Sequence, residues 1–407
     1  PDSNARTRRA PPSPEGRRAR RKRVARGRTV ANARRRPFPR PPTLTPVPRP
    51  TRPALATGFR RLVRTSAALA AGAALALAPD AAGAQRTYTS VTFFGDSYVD
   101  TGNGFFASGG TSPAPPYFNG RASDGLLWPD YLAQALGRPG DAAAQVRPGG
   151  YGPSGNYAFG GARTVDRPAG GGLTIPGTGS QIGLYLQPPG SAAPRAADPT
   201  GLYALFIGGN DITGALGLGS PAAAQAAVAA AGNAVVAQTQ ALVNAGARNV
   251  VVFTLGGLSR TPGVLANPGV APLVDQLTGV FNGTLAAGLA TLQPTLPGGT
   301  TIFNFRLDNL FTNIVLDAAQ GGPRYGITNL TVPCLVPAPP AGVSCGNSLF
   351  VDGIHPTTRA HQLIGTSVFT YVTTGANVAV IPEPATLALV AGGLVLVGAA
   401  GARRRAA

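Results

Sequence analysis

Four short apolar runs constrain the architecture of this chain most. They are Val91–Phe94, Leu202–Ile207, Val250–Leu255 and Thr301–Phe305. Helical patterns occupy the stretches around them, over Leu126–Leu136, Pro221–Ala245, Pro272–Leu292, Asn309–Ala319 and Thr357–Tyr371. Strands separated by that much chain cannot close as tight hairpins, and crossovers through helices give βαβ units. The expectation is therefore an α/β chain with a mostly parallel sheet covered on both faces. The helix from Pro221 carries its own boundary signals. Ser220 is placed to cap it, Pro221 fits its first turn and Gly246 lies just past its end. Four Gly/Pro-rich stretches, Gly104–Pro116, Pro148–Gly155, Pro168–Gly179 and Pro188–Pro199, read as surface loops near the mouth of the sheet.

The net charge of +19 points toward nucleic acid until its distribution is considered. Residues 1–64 hold 20 of the 35 Lys and Arg residues, with only Asp2 and Glu15 as acids. Arg403, Arg404 and Arg405 add three more cations at the other end, so residues 65–402 carry a net charge of −2. The basicity belongs to the ends, and the body is expected to have no nucleic-acid partner.

Within the body, chemistry concentrates where strands stop. Val91–Phe94 runs into Gly95-Asp96-Ser97, with Asp100, Gly102 and Asn103 following. A glycine at a strand end allows a tight turn that exposes the next hydroxyl, although Gly-Asp-Ser also suits an ordinary turn. Leu205-Phe206-Ile207 runs into Gly208-Gly209-Asn210-Asp211. The Asn210 amide is a candidate oxyanion donor, or a turn residue in the left-handed region. In a parallel sheet both sites open onto the crevice at the strands' carboxyl ends. The chain has two histidines, His355 and His361. Asp352 precedes His355 by three residues, a spacing that folds a carboxylate back onto imidazole Nδ1 and leaves Nε2 for a serine. His361 has no neighbouring acid and reads as a surface or packed helix residue. The glycines of Asn156-Tyr157-Ala158-Phe159-Gly160-Gly161-Ala162 let a backbone N–H approach a ligand. Cys334 and Cys345 lack metal-ligand spacing. In an exported chain they form one local disulfide; in a cytosolic one they are two thiols.

Gly95-Asp96-Ser97, Asn156 to Ala162, Gly208 to Asp211 and Asp352-x-x-His355-Pro356-Thr357 stand in the order of the GDSL family of SGNH hydrolases, which residues 87–375 resemble. The resemblance implies a three-layer α/β/α, flavodoxin-like fold and carboxylic ester hydrolysis without a cofactor or metal. It makes Ser97 the nucleophile, His355 the general base and Asp352 its orienting acid. The oxyanion hole would take the Ser97 N–H, the Asn210 side chain and the N–H of Gly161, with Gly160 the neighbouring alternative. The layout, with Cys345 shortly before the Asp-His block, is similar to the bacterial secreted lipase/esterase branch. Two further readings share these residues. One is a carbohydrate esterase that deacetylates exopolysaccharide; the other is a non-catalytic surface or matrix protein on a hydrolase scaffold. The expected ester is accordingly a lipid or an acylated carbohydrate.

The ends suggest where this body works. Residues 1–57 are Arg- and Pro-rich and expected to be disordered, as a mis-called upstream start or an unusually long leader. Residues 58–84 have a basic segment, the apolar run Ala67–Ala78 and a small-x-small site with cleavage after Ala84, the layout of a signal peptide. At the other end Pro382-Glu383-Pro384 precedes an uncharged run, 385–402, and then the three arginines. As a helix that run spans about 27 Å, enough for a bilayer core, with the arginines cytoplasmic. Residues 381–407 resemble a PEP-CTERM sorting signal. That resemblance implies an exosortase-type processing enzyme as partner, transient anchoring in the inner membrane and a final place in the periplasm, at the cell surface or outside the cell.

Overall fold

A computed structural model describes residues 85–379, apart from 148–149, 152–154 and 171–172. The readings of 1–57, 58–84 and 381–407 lie outside the described residues. In chain order the elements are β1 (Val91–Gly95), α1 (Asn103–Ala107), α2 (Trp128–Ala135), β2 (Val146–Arg147), β3 (Gly150–Tyr151), β4 (Arg167–Gly170), β5 (Leu173–Ile175) and α3 (Thr178–Leu186). They continue with β6 (Leu202–Phe206), α4 (Gly209–Ala215), α5 (Pro221–Asn244), β7 (Asn249–Phe253), α6 (Pro262–Leu265), α7 (Ala271–Leu292), β8 (Thr301–Phe305), α8 (Leu307–Ala318) and α9 (Thr358–Thr374).

The four apolar runs form one parallel sheet in the order β1-β6-β7-β8. Phe94 pairs with Leu205, Ala204 with Val251, and Val251 in turn with Phe303. Asn156 bridges Phe93 in parallel sense on the outer side of β1, which brings the Asn156–Ala162 block beside the Ser97 turn. Each crossover advances one strand in the same direction. The right-handed rule then sets α3, α5 and α7 on one face.

Side-chain alternation along β1 shows both faces covered. Phe94 meets Tyr185 of α3 edge-on, whereas Phe93 meets Trp128 of α2 on the other side. On that second face the aromatic contacts run from Trp128 to Phe253, from Phe253 to Phe305, and from Phe305 and Phe303 to Tyr371 of α9. The result is a helix–sheet–helix sandwich whose core is the sheet itself, with β1 and β6 buried at every position. Helix α5 is long and apolar enough to cross a membrane by length and composition. Here Ala224, Val228, Val235 and Leu242 are buried within the domain.

Three of the four Gly/Pro-rich stretches hold more regular structure than their composition implies, whereas Pro188–Pro199 has no helix or strand, as a loop should. Residues 103–107 form α1, 150–151 form β3, and 167–170 pair antiparallel with 173–175 as β4 and β5, ahead of α3. Helix α1 exists because Asp100 supplies acceptors for its unsatisfied first amides, at 2.8 Å from Gly102, 2.6 Å from Asn103 and 2.9 Å from Gly104. Cys334 and Cys345 are joined in a disulfide that closes the loop preceding the Asp352–His355 segment.

Candidate active site

The carboxyl ends of β1, β6 and β7 open onto a cavity of about 640 Å³. Strand β1 stops at Gly95 because the chain passes β6 too closely for any side chain. A Cβ on Gly95 would sit 2.3 Å from the Phe206 carbonyl oxygen. The Gln181 side chain clamps that peptide, accepting from Gly95 N–H at 2.8 Å and donating to its carbonyl at 2.9 Å. The following turn presents Ser97 to the cavity. Asp96 accepts from Tyr98 N–H at 3.0 Å and is itself buried. Burial pushes its carboxyl up to about 7, outweighing that hydrogen bond and the nearby His355.

The segment after the disulfide loop brings the other side chains to the same mouth. His355 Nε2 lies 2.8 Å from Ser97 Oγ, and His355 Nδ1 lies 2.7 Å from Asp352 Oδ2. Asp352 Oδ1 accepts from the backbone N–H groups of Ile354 at 2.8 Å and His355 at 2.7 Å. Burial alone would raise the Asp352 carboxyl. The hydrogen bonds and charge of His355 outweigh it, together with the Tyr117 hydroxyl, and hold Asp352 well below the usual carboxylate range. Tyr117 had no signal in the sequence: it donates to Asp352 Oδ2 at 2.6 Å from a Pro-rich loop far away in the chain.

His361 is fully buried on α9, beside Tyr98, and among the described residues neither ring nitrogen has a partner. Burial pushes it down to about 3, so it stays neutral. The packed-helix reading holds for it.

Opposite His355 stand the donors. Asn210, at the start of α4, lines the cavity and spends one amide hydrogen on the Ala162 carbonyl at 3.0 Å, which fixes its plane and leaves the other hydrogen for a ligand. Asp211 ties the same turn to Thr164 through that residue's N–H and hydroxyl. The two candidate glycines differ in what their amides do. Gly160 N–H donates to Asp100 Oδ2 at 2.8 Å and is engaged. Gly161 adopts a φ of 77°, in the left-handed region, and its N–H has no partner among the described residues. Arg167 holds the next carbonyl, donating from Nε to the Gly161 oxygen at 2.7 Å. The Ser97 N–H is likewise unengaged among the described residues.

The cavity wall is chiefly apolar. Phe159, Ile175, Phe206, Leu255, Leu258, Phe311, Phe350 and Ile354 line it around the polar cluster. Among the described residues no group of three or more His, Cys, Asp or Glu side chains is set to hold a metal ion.

The sequence profile of the GDSL-like Lipase/Acylhydrolase family matches residues 91–368, more than half of the chain. The chain is similar to Esterase EstA of Pseudomonas aeruginosa, with 29% identity over 356 residues, covering 77% of this chain and 51% of that protein. It is also similar to Lipase 1 of Photorhabdus luminescens, with 33% identity over 192 residues, covering 47% of this chain and 26% of that one. The chain thus spans about half the length, or less, of these curated relatives. Among solved structures, an acetylxylan esterase from Geobacillus stearothermophilus aligns with a TM-score of 0.34 and 13% identity, over 70% of this chain and 95% of that one.

Proposed function

The chain belongs to the GDSL-like Lipase/Acylhydrolase family, and from that premise we propose that it is an exported serine hydrolase of carboxylic esters. The observation that carries the reading is the unbroken hydrogen-bonded line from Ser97 Oγ to His355 and on to Asp352. In this mechanism Ser97 Oγ attacks the ester carbonyl carbon while His355 Nε2 takes the hydroxyl proton. The imidazolium so formed is stabilised by Asp352, which is ionised at neutral pH. Negative charge on the carbonyl oxygen is taken by the N–H groups of Ser97 and Gly161 and the Asn210 amide. The C–O bond to the alcohol breaks, and the alcohol leaves with the proton from His355. Water then repeats the sequence on the acyl-enzyme, releasing the acid and restoring the Ser97 hydroxyl.

The apolar wall favours an ester with a hydrocarbon acyl or alcohol portion over an acetylated polysaccharide, whose hydroxyls would lose water there without gaining partners. The compartment reading keeps residues 58–84 as export signal, 87–375 as the hydrolase domain, and 381–407 as a PEP-CTERM-type tail. That tail would anchor the protein in the inner membrane until an exosortase-type enzyme processes it.

A fluorophosphonate probe and a p-nitrophenyl ester series test the reading together. The probe is expected to label Ser97, and Ser97→Ala to abolish both labelling and hydrolysis. Hydrolysis is expected to rise from acetate to longer acyl chains. Retained hydrolysis in the Ser97 variant defeats the mechanism, and a preference for acetylated polysaccharide defeats the substrate class.

A further inference from the structure

We infer that Tyr117 is a positioning residue of this site: its hydroxyl donates to Asp352 Oδ2 and sets both the orientation and the basicity of the carboxylate that holds His355. The inference rests on the reading of Ser97, His355 and Asp352 given above.

Four donors converge on Asp352. Two backbone N–H groups occupy Oδ1, while Oδ2 is shared between His355 Nδ1, at 2.7 Å, and the Tyr117 hydroxyl, at 2.6 Å. A hydroxyl donating to a carboxylate draws off part of its charge, so Tyr117 and the His355 ring compete for one oxygen. Burial, with the bond to Asp352, pushes the Tyr117 phenol above its ordinary value, so it remains a donor throughout the neutral range.

The loop that delivers Tyr117 is tied down at several points. Arg121 makes a two-pronged ion pair with Asp130 of α2, at 2.9 and 2.8 Å. The Ser123 hydroxyl donates to the Pro356 carbonyl, beside His355, and Asp124 accepts from Thr358 N–H at the start of α9. Those anchors give the phenol a fixed place relative to the acid. Ser112, Pro113, Gly120 and Ala122 of the same loop line the cavity. The wall that meets substrate therefore also holds the acid.

Removing only the hydroxyl should leave Asp352 with more of its charge and a tighter hold on the imidazolium. In Tyr117→Phe the acid limb of the kcat/KM profile is expected to move to higher pH by about one unit, a loss of roughly tenfold below the limb, with KM held. The other titratable groups facing the pair are Asp96 and Tyr98 on the nucleophile turn and His361 on α9. All three remain in place in the variant. Tyr131→Phe, which loses a hydroxyl bonded to Thr358 rather than Asp352, is the control and should leave the limb unmoved.

A second readout is the low-field proton resonance of the His355 Nδ1–H. Only two histidines are present, and His361 has no partner for either nitrogen among the described residues. That resonance is expected to move further downfield in Tyr117→Phe, and Tyr117→Leu serves the same comparison if the phenylalanine variant fails to fold. An unmoved limb and resonance overturn the inference, whether the rate is unchanged or lowered evenly at all pH values. A wild-type protein that the fluorophosphonate does not label overturns the hydrolase reading instead.

Discussion

Asp96 shows what the turn that presents Ser97 costs a fold. It lies between the strand-ending Gly95 and Ser97, is buried, and has its carboxyl pushed up to about 7. The unfolded chain ionises this group near the ordinary carboxylate value, so the folded state holds the proton more tightly. The stability it contributes is complete below the unfolded value and is lost as pH rises to about 7. Across that window the loss approaches about 1.4 kcal/mol per pH unit. Asp96→Asn keeps an oxygen to accept from Tyr98 N–H but has no proton to lose. The expected outcome is that urea midpoints of the variant gain on wild type between pH 4 and 7 and run parallel above; parallel curves throughout would refute it. At this scale the sequence was legible where chemistry is local. Asp352 and His355 sit three residues apart, and a strand end exposes Ser97. Tyr117 and Gln181 were not legible, because a lone tyrosine in a Pro-rich loop and a helix glutamine announce nothing until the fold brings them to Asp352 and Gly95.

At the scale of elements, the long pieces were readable and the short ones were not. Thr301–Phe305 is a strand with the bounds its apolar run gives, and α5 starts at Pro221 with the Ser220 side chain accepting from Ala223 N–H. Helices α1, α3, α4 and α6 were missed. The first depends on acceptors from Asp100, and the third starts in the glycines after β6. Neither has the apolar repeat that marks a helix in sequence. The packing of α9 on α2 gives a prediction of its own. Gly365 lies where α9 crosses α2, and a Cβ there would be 2.7 Å from Tyr131 Cβ and 3.0 Å from the Trp128 carbonyl oxygen. Neither atom is the end of a flexible side chain, so the helices must separate. Alanine gains about 1 kcal/mol of helix propensity over glycine, whereas forced repacking of a tight interface costs typically 1–3 kcal/mol. Gly365→Ala is therefore expected to be net destabilising in denaturant unfolding, and a stabilised variant would show that the interface yields freely.

At the scale of the whole molecule, Ser97 and Asn210 stand at the carboxyl ends of the sheet, and one segment, between α8 and α9, brings Asp352 and His355 to them. That segment has little regular structure of its own. Leu335 N–H donates to the Val351 carbonyl at 2.9 Å, and Cys334 N–H to the Phe350 carbonyl at 3.2 Å. The loop these bonds start is closed by the Cys334–Cys345 disulfide, at a sequence separation of 11. A cross-link over a loop of that size removes chain entropy from the unfolded state worth about 2–3 kcal/mol. The bond fits the proposed export, since a cytosolic chain would keep both thiols reduced. Stability and activity should respond together, because the cross-linked segment leads into Asp352 and His355. In a Cys334→Ser/Cys345→Ser double variant the thermal midpoint is expected to fall by roughly 4–12 °C, at about 2–4 °C per kcal/mol for a domain of this size. Ester hydrolysis should be lost at a correspondingly lower temperature. Dithiothreitol should bring the wild-type protein to the same midpoint and leave the double variant unchanged. A wild-type protein indifferent to reductant would mean that the hydrogen bonds to Phe350 and Val351 hold the segment alone.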